Sequence, residues 1–172
     1  MKKLEQNYLN VPIIKTERLI LNYPLENDFK TLEVFLKSER SKFLGGPYIS
    51  FTSWNDYMAN IGHWSLYGYG LWSVRIKDNN EYIGRVGIIK PAMFNEPDLA
   101  WQVFEAYEGK GYAYEAAIAV RDYTIENFNF SSLASHILEG NKKSILLAEK
   151  IGSKIKKEEV IDNKKFIVYF HI

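Results

Sequence analysis

The stretch "LAWQVFEAYEGKGYAYEAA", residues 99 to 117, constrains this chain more than any other. An apolar run of strand character meets two glycines around Lys110 and passes at once into an alanine-rich helical pattern. Gly109 and Gly111 cost backbone entropy. A helix needs no glycine to begin, because one Ser, Thr, Asp or Asn caps it. A helix N-terminus behind flexible backbone is an anion site, with free N–H groups and the positive end of the macrodipole pointing outward. The glycines admit a phosphate close to the chain, and Lys110 adds charge. By itself a G-K-G turn is also an ordinary strand-to-helix connection. The dinucleotide fingerprint G-x-G-x-x-G fails because Tyr114 stands where Gly or Ala is needed, and the Walker pattern is absent. A nucleotide-binding domain using "EGKG" for phosphate is a further alternative.

The rest of the chain supplies a layered α/β pattern. "RLILNYP" alternates as a strand, with Leu19 and Leu21 on one face. "LENDFKTLEVFLKSER" spaces Leu32, Phe35 and Leu36 for a helix, and "GGPY" breaks it at Gly45, Gly46 and Pro47. "TSWNDYMANIGHWSLYG" reads as a second helix with Ser53 as its cap and Tyr57, Ile61 and Trp64 on one side. "LWSVRI", "YIGRVGII" and "LAWQVF" are strands. Beyond the glycines, Ala113, Ala116, Ala117, Val120 and Thr124 recur at helical spacing. "SLASHIL" is a strand, "NKKSILLAEKIG" a short helix capped by Asn141 and ended by Gly152, and "KFIVYFHI" a closing strand. The expected order is β α α β β β α β α β β, with a mixed sheet.

At 172 residues and 47% hydrophobic content the chain fits one packed domain, residues 1 to 172. A net charge of +1 argues against nucleic acid or an anionic membrane as partner. There is no cysteine, so disulfides, thiolate nucleophiles and cysteine metal sites are excluded together, and no metal is expected. "MKKLEQNYLNVPIIK" has the lysines of a signal peptide without its apolar run, and nothing approaches the ~18 apolar residues of a span. A soluble cytoplasmic protein is expected.

Five segments in order carry a resemblance over nearly the whole length. They are "TERLIL" (16 to 21), "GGPYISFTSWNDYMANIGHWSLYGYGLW" (45 to 72), "YIGRVGI" (82 to 88), "DLAWQVFEAYEGKGYAYEA" (98 to 116) and "NKKSILLAEKIG" (141 to 152). The chain resembles the GNAT-superfamily N-acetyltransferases of the ribosomal-protein-acetyltransferase-like (RimJ/RimL-type) branch. The resemblance implies an α/β acyl-CoA N-acyltransferase fold: a mostly antiparallel sheet of about seven strands and about four helices, its fourth and fifth strands splayed apart. It also implies direct acetyl transfer from acetyl-CoA to a primary amine, at a protein N-terminus or on a small molecule. A non-catalytic acyl-CoA-binding module on the same fold is the alternative, and a homodimer is compatible.

On the family's Q/R-x-x-G-x-G/A loop, Glu108 takes the Q/R position, Gly111 the glycine and Ala113 the G/A. Glu108 departs from the pattern, as does Ser153 where Phe is usual. The resemblance puts Val103 and Phe104 beside the pantetheine arm. Glu108, Gly109, Lys110, Gly111, Tyr112 and Ala113 would surround the pyrophosphate. Asn141 would contact CoA, act as a helix cap, or both, and Ser144 would lie near the sulfur. Asp98 is the candidate base, its other reading a carboxylate at a loop end; Glu105 reads more simply as a solvated acid. Tyr48, His63, Trp64 and Trp72 are candidates for the amine pocket, with Gly45, Gly46 and Pro47 beside them. His136 and His171 read as structural.

Overall fold

A computed structural model describes residues 10–172, without the side chains of 155 and 156. The expectation drawn from the extreme N-terminus falls partly on residues 1–9, outside the described residues. The strands are β1 (Ile14–Lys15), β2 (Leu19–Asn22), β3 (Leu71–Ile76), β4 (Tyr82–Ile89), β5 (Asp98–Val103), β6 (Ala134–Leu138), β7 (Ile155–Ile161) and β8 (Lys164–Phe170). The helices are α1 (Asp28–Leu36), α2 (Ser50–Tyr67), α3 (Tyr112–Asn127) and α4 (Lys142–Lys150). Short 3₁₀ turns occupy Glu39–Leu44 and Glu105–Tyr107.

One eight-stranded sheet runs in the order β1-β2-β3-β4-β5-β6-β8-β7. All neighbours are antiparallel except β5 and β6. The eighth strand is the two-residue β1, too short to show a period of two in the sequence. The alternation read at β2 holds: Leu19 and Leu21 are fully buried, while Ile20 and Asn22 are half-buried. β7 and β8 form a hairpin through Asp162 and Asn163, both at positive φ (50° and 60°), a conformation that acidic and amide side chains tolerate.

The main core lies between the sheet and α3. It joins Leu19, Leu21, Trp72, Val74, Val86, Ile88 and Leu99 to Ala116, Ala117 and Val120. Alanines on α3 let the helix sit close to the strands. On the other face, Leu32 and Leu36 of α1 and Tyr57 of α2 enclose Phe104. α4 closes the far end through Ala148 and Ile151.

Two local readings differ. α1 stops at Leu36, where Lys37 N–H still reaches the Glu33 carbonyl, and the expected continuation to Arg40 tightens into the 3₁₀ turn. α2 begins at Ser50 with no side-chain cap, and Ser53 lies inside it, its hydroxyl donating to the Ile49 carbonyl (3.1 Å). A buried serine in a helix commonly returns its proton to the preceding turn, which a capping pattern alone does not distinguish. Among the described residues, no helix is long and apolar enough to cross a membrane.

Candidate active site

The sheet opens between β5 and β6, which are the fourth and fifth strands of the sequence reading. They share a single Cα pair, Asp98 with Ala134. Just past it, side chains replace the backbone ladder. The Asp98 carboxylate accepts from the His136 N–H (2.6 Å) and bonds His136 Nδ1 (2.8 Å), and the Ser135 hydroxyl donates to the Leu99 carbonyl (2.6 Å). Beyond that point β6 runs along β8, while β5 stays on β4. The gap widens into a cleft of about 1070 Å³, and Trp101, Gln102 and Val103 of β5 line it.

The glycine loop closes one side of this cleft. Gly109 and Gly111 have φ of +73° and +82°, a region that side-chain-bearing residues rarely enter. Gly111 is the N-cap of α3 and supplies no side-chain bond. Among the described residues nothing caps the first-turn N–H groups of α3, and Gly111, Tyr112 and Ala113, which carry three of them, line the cleft. Arg18 anchors the loop from outside. Its Nη1 donates to the Lys110 carbonyl (2.9 Å), its Nε to Glu115 Oε2 (2.7 Å), and its guanidinium sits 4.6 Å from the Tyr112 ring centroid. Burial works against the charge on Glu115, but bonds from Thr16 and Arg18 outweigh it and hold the carboxyl below its ordinary range. A Cβ on Gly111 would lie 3.3 Å from Arg18 Nη2, so the position is tight as well as left-handed.

Glu108 does not point away from the cleft. Its carboxylate joins Arg40, from the 3₁₀ turn after α1, and Lys143 Nζ (2.5 Å), from the first turn of α4. Burial pushes the Glu108 carboxyl up, and the Lys143 and Arg40 bonds more than reverse this, leaving it below the usual range. Arg40 also lies 3.6 Å from Glu105, whose carboxylate is largely exposed, as a solvated loop acid should be. Arg40 and Lys143 both line the cleft, and the sequence reading singled out neither. Lys143 stood inside the quoted "NKKS"; Arg40 lies 68 residues before its partner and had no local signal.

Across the cleft, Asn141 caps α4 by accepting from the Ser144 N–H (3.3 Å), and both residues also line the cavity. Ser144 Oγ accepts from Trp101 Nε1 (3.2 Å), which leaves the serine proton free. Two of the expected cofactor residues sit elsewhere. Phe104 is buried among Leu32, Leu36 and Tyr57, with its N–H donated to the Ile83 carbonyl (2.9 Å), so neither ring nor amide faces the gap. The Lys110 side chain lies over Tyr107, 5.5 Å from its ring, rather than in the cleft.

The expected amine pocket does not assemble from its four residues. Trp64 and Trp72 pack edge to face in the main core at 4.6 Å, 3% and 0% exposed, and their indole N–H groups bond the carbonyls of Leu71 and Pro12. Large rings flanking a strand fill the core first because burial stabilises them most. His63 has both ring nitrogens engaged: Nδ1 donates to the Tyr69 carbonyl (2.6 Å), and Nε2 accepts from the Lys90 N–H (2.9 Å). Burial lowers its pKa, the Tyr69 bond opposing, and no nitrogen is left to act as a base. Tyr48 bonds the Leu44 carbonyl and fixes the turn whose Phe43 and Leu44 line the cleft. Asp98 is buried at the closed end of the gap and is not part of the lining. Burial raises its pKa against the bonds from His136.

A comparison with known families matches residues 18–154 to the acetyltransferase (GNAT) domain. The chain belongs to the GNAT acetyltransferase family. This GNAT chain is similar, at 33% identity and a TM-score of 0.86 over 98% of each chain, to an acetyltransferase from Agrobacterium tumefaciens str. C58. It is 36% identical over 105 residues to the uncharacterized protein YkkB of Bacillus subtilis (strain 168), a stretch covering 60% of this chain and 61% of that protein. The match thus spans less than two thirds of that relative's length. A RimL ribosomal L7/L12 α-N-protein acetyltransferase, solved in complex with coenzyme A, shares the fold at a TM-score of 0.76 and 15% identity, over 94% of this chain and 98% of that one.

Proposed function

We propose that this chain is an acetyl-CoA-dependent N-acetyltransferase that passes acetyl directly to a primary amine, at a peptide N-terminus or on a small molecule. The observation that carries the reading is the uncapped N-terminus of α3 facing a cleft opened by the separation of β5 and β6. The residues fit the donor. Gly109, Gly111, Tyr112 and Ala113 would hold the pyrophosphate through main-chain N–H groups, and Val103 and Asn141 would flank the pantetheine arm. The donor supplies an acyl thioester; everything else falls to the protein. The edge of β5 offers main-chain donors to a developing oxyanion. Ser144, held by Trp101, has a hydroxyl hydrogen to offer the departing thiolate as a hydrogen bond, while the thiolate takes its proton from solvent. With no cysteine in the sequence, no cysteinyl acyl-enzyme forms; direct attack by the amine is what the family resemblance implies. Asp98 and His63 are committed to hydrogen bonds outside the cleft lining, so positioning of the neutral amine and loss of its proton to water carry the step.

This reading takes residues 1–172 as one catalytic unit working in the cytoplasm. The non-catalytic alternative rested on Glu108 and Ser153, and both departures have structural partners here.

Thermal unfolding with acetyl-CoA tests the reading, with Gly111→Trp as control. A hundredfold excess over the dissociation constant stabilises by about 2.7 kcal/mol. That is a rise in Tm of roughly 5–10 °C for a chain of this size. The shift should vanish in the variant while its circular dichroism stays native. Thiol release over an amine panel then names the acceptor. A wild-type protein that shows no shift is not an acetyl-CoA enzyme.

A further inference from the structure

Glu108 occupies the loop position where the family pattern carries Gln or Arg, and both its oxygens are taken. Arg40 Nη2 bonds Oε1, and Lys143 Nζ bonds Oε2 at 2.5 Å. The three residues come from three elements, 68 and 35 residues apart in sequence, and all three line the cleft. Carboxylate and phosphate present anionic oxygens to a guanidinium fork in the same way. Two cations from separate elements of the cleft lining are therefore already bonded to an anion that belongs to the protein itself. The pairing is not a buried structural one. Arg40 and Glu108 side chains are 31% and 28% exposed and Lys143 is 71% exposed, so the contacts can exchange with a ligand.

We propose that Glu108 is an internal phosphate surrogate: it holds Arg40 and Lys143 in the free protein and gives them up to the phosphates of the CoA ligand. Arg40 and Lys143 are then phosphate ligands, and Glu108 sets the affinity by competing for them. The inference rests on the acetyl-CoA reading above. It also accounts for an acid beside a phosphate loop, which otherwise only repels the ligand. Surrendering the carboxylate opposes binding, and ion pairs of this exposure couple weakly. The expected effect is correspondingly modest, about three- to tenfold in Kd.

Calorimetric titration of CoA into the wild type, Glu108→Gln, Arg40→Gln/Lys143→Gln and the triple variant tests this, with thermal unfolding to show that each is folded. Glu108→Gln should bind about three- to tenfold more tightly than wild type, and Arg40→Gln/Lys143→Gln more weakly. The gain from Glu108→Gln should disappear when both cations are absent, because nothing is left to release. Equal or weaker binding by Glu108→Gln overturns the proposal while leaving the acetyl-CoA reading intact. So does a gain that persists without the cations, since it would reflect plain repulsion between Glu108 and the ligand. CoA binding to none of the folded variants removes both.

Discussion

His171 has both ring nitrogens bonded, and the order of the bonds fixes its charge. Ser135 spends its proton on the Leu99 carbonyl, so toward His171 Nε2 (2.8 Å) it can only accept, and Nε2 carries the hydrogen. Nδ1 is then the acceptor for Ser153 (3.0 Å), and the ring is neutral. Burial, helped by Arg121, lowers its pKa to about 4. The unfolded chain, with an ordinary histidine near 6.5, takes up the proton first as the pH falls. Stability present above pH 6.5 is therefore lost as the pH drops toward 4. At pH 5 the loss attributable to His171 is about 2 kcal/mol. Urea unfolding at pH 7 and pH 5 should show it in the wild type and not in His171→Gln. At this scale the sequence was half legible. Ser153 showed as a departure from the family's Phe, but nothing local said that Ser135 and His171 would meet it. The same holds for Arg40: its charge is visible in the sequence, its partner is not.

α1 is tied to the sheet by a buried ion pair as well as by Leu32 and Leu36. Asp28 in its first turn accepts from the Leu25 N–H (3.0 Å) and the Ser73 hydroxyl (2.7 Å) and pairs with Arg75 of β3. The two charged side chains are 4% and 7% exposed. Removing one partner leaves the other charge buried alone, which costs far more than the pair contributes. Asp28→Ala should destabilise the protein by about 3–5 kcal/mol. In urea its midpoint should fall with the slope unchanged, and Asp28→Asn should lose less because it keeps part of the hydrogen bonding. Element existence was legible because periodicity reports burial: the faces read on α1 and α3 are those that pack. Element ends were less so. Ser53 has the chemistry of a cap, but the chain had already turned helical at Ser50.

Over the whole molecule, the proposed function depends on where two strands stop pairing. Among the described residues, the edge of β5 beyond Leu99 has no backbone partner on the cleft side and the first turn of α3 has no cap, whereas β6, β8 and β7 form a continuous antiparallel unit. Amide hydrogen exchange should therefore slow over residues 99–113 when acetyl-CoA is added and stay unchanged over the β7–β8 hairpin. A uniform change along the sheet would speak against a ligand seated in the gap. The sequence by itself determined the order of strands and helices apart from β1, the alternation that makes β2 two-faced, the glycine loop and the absence of cysteine chemistry. These are local properties, set by residue type and spacing. Only the tertiary structure decided that Trp64, Trp72 and Phe104 are core, that both His63 nitrogens are spent, and that Glu108 meets Arg40 and Lys143 across the cleft. Each depends on residues distant in the chain competing for the same space or proton, and no pattern along one segment records that competition.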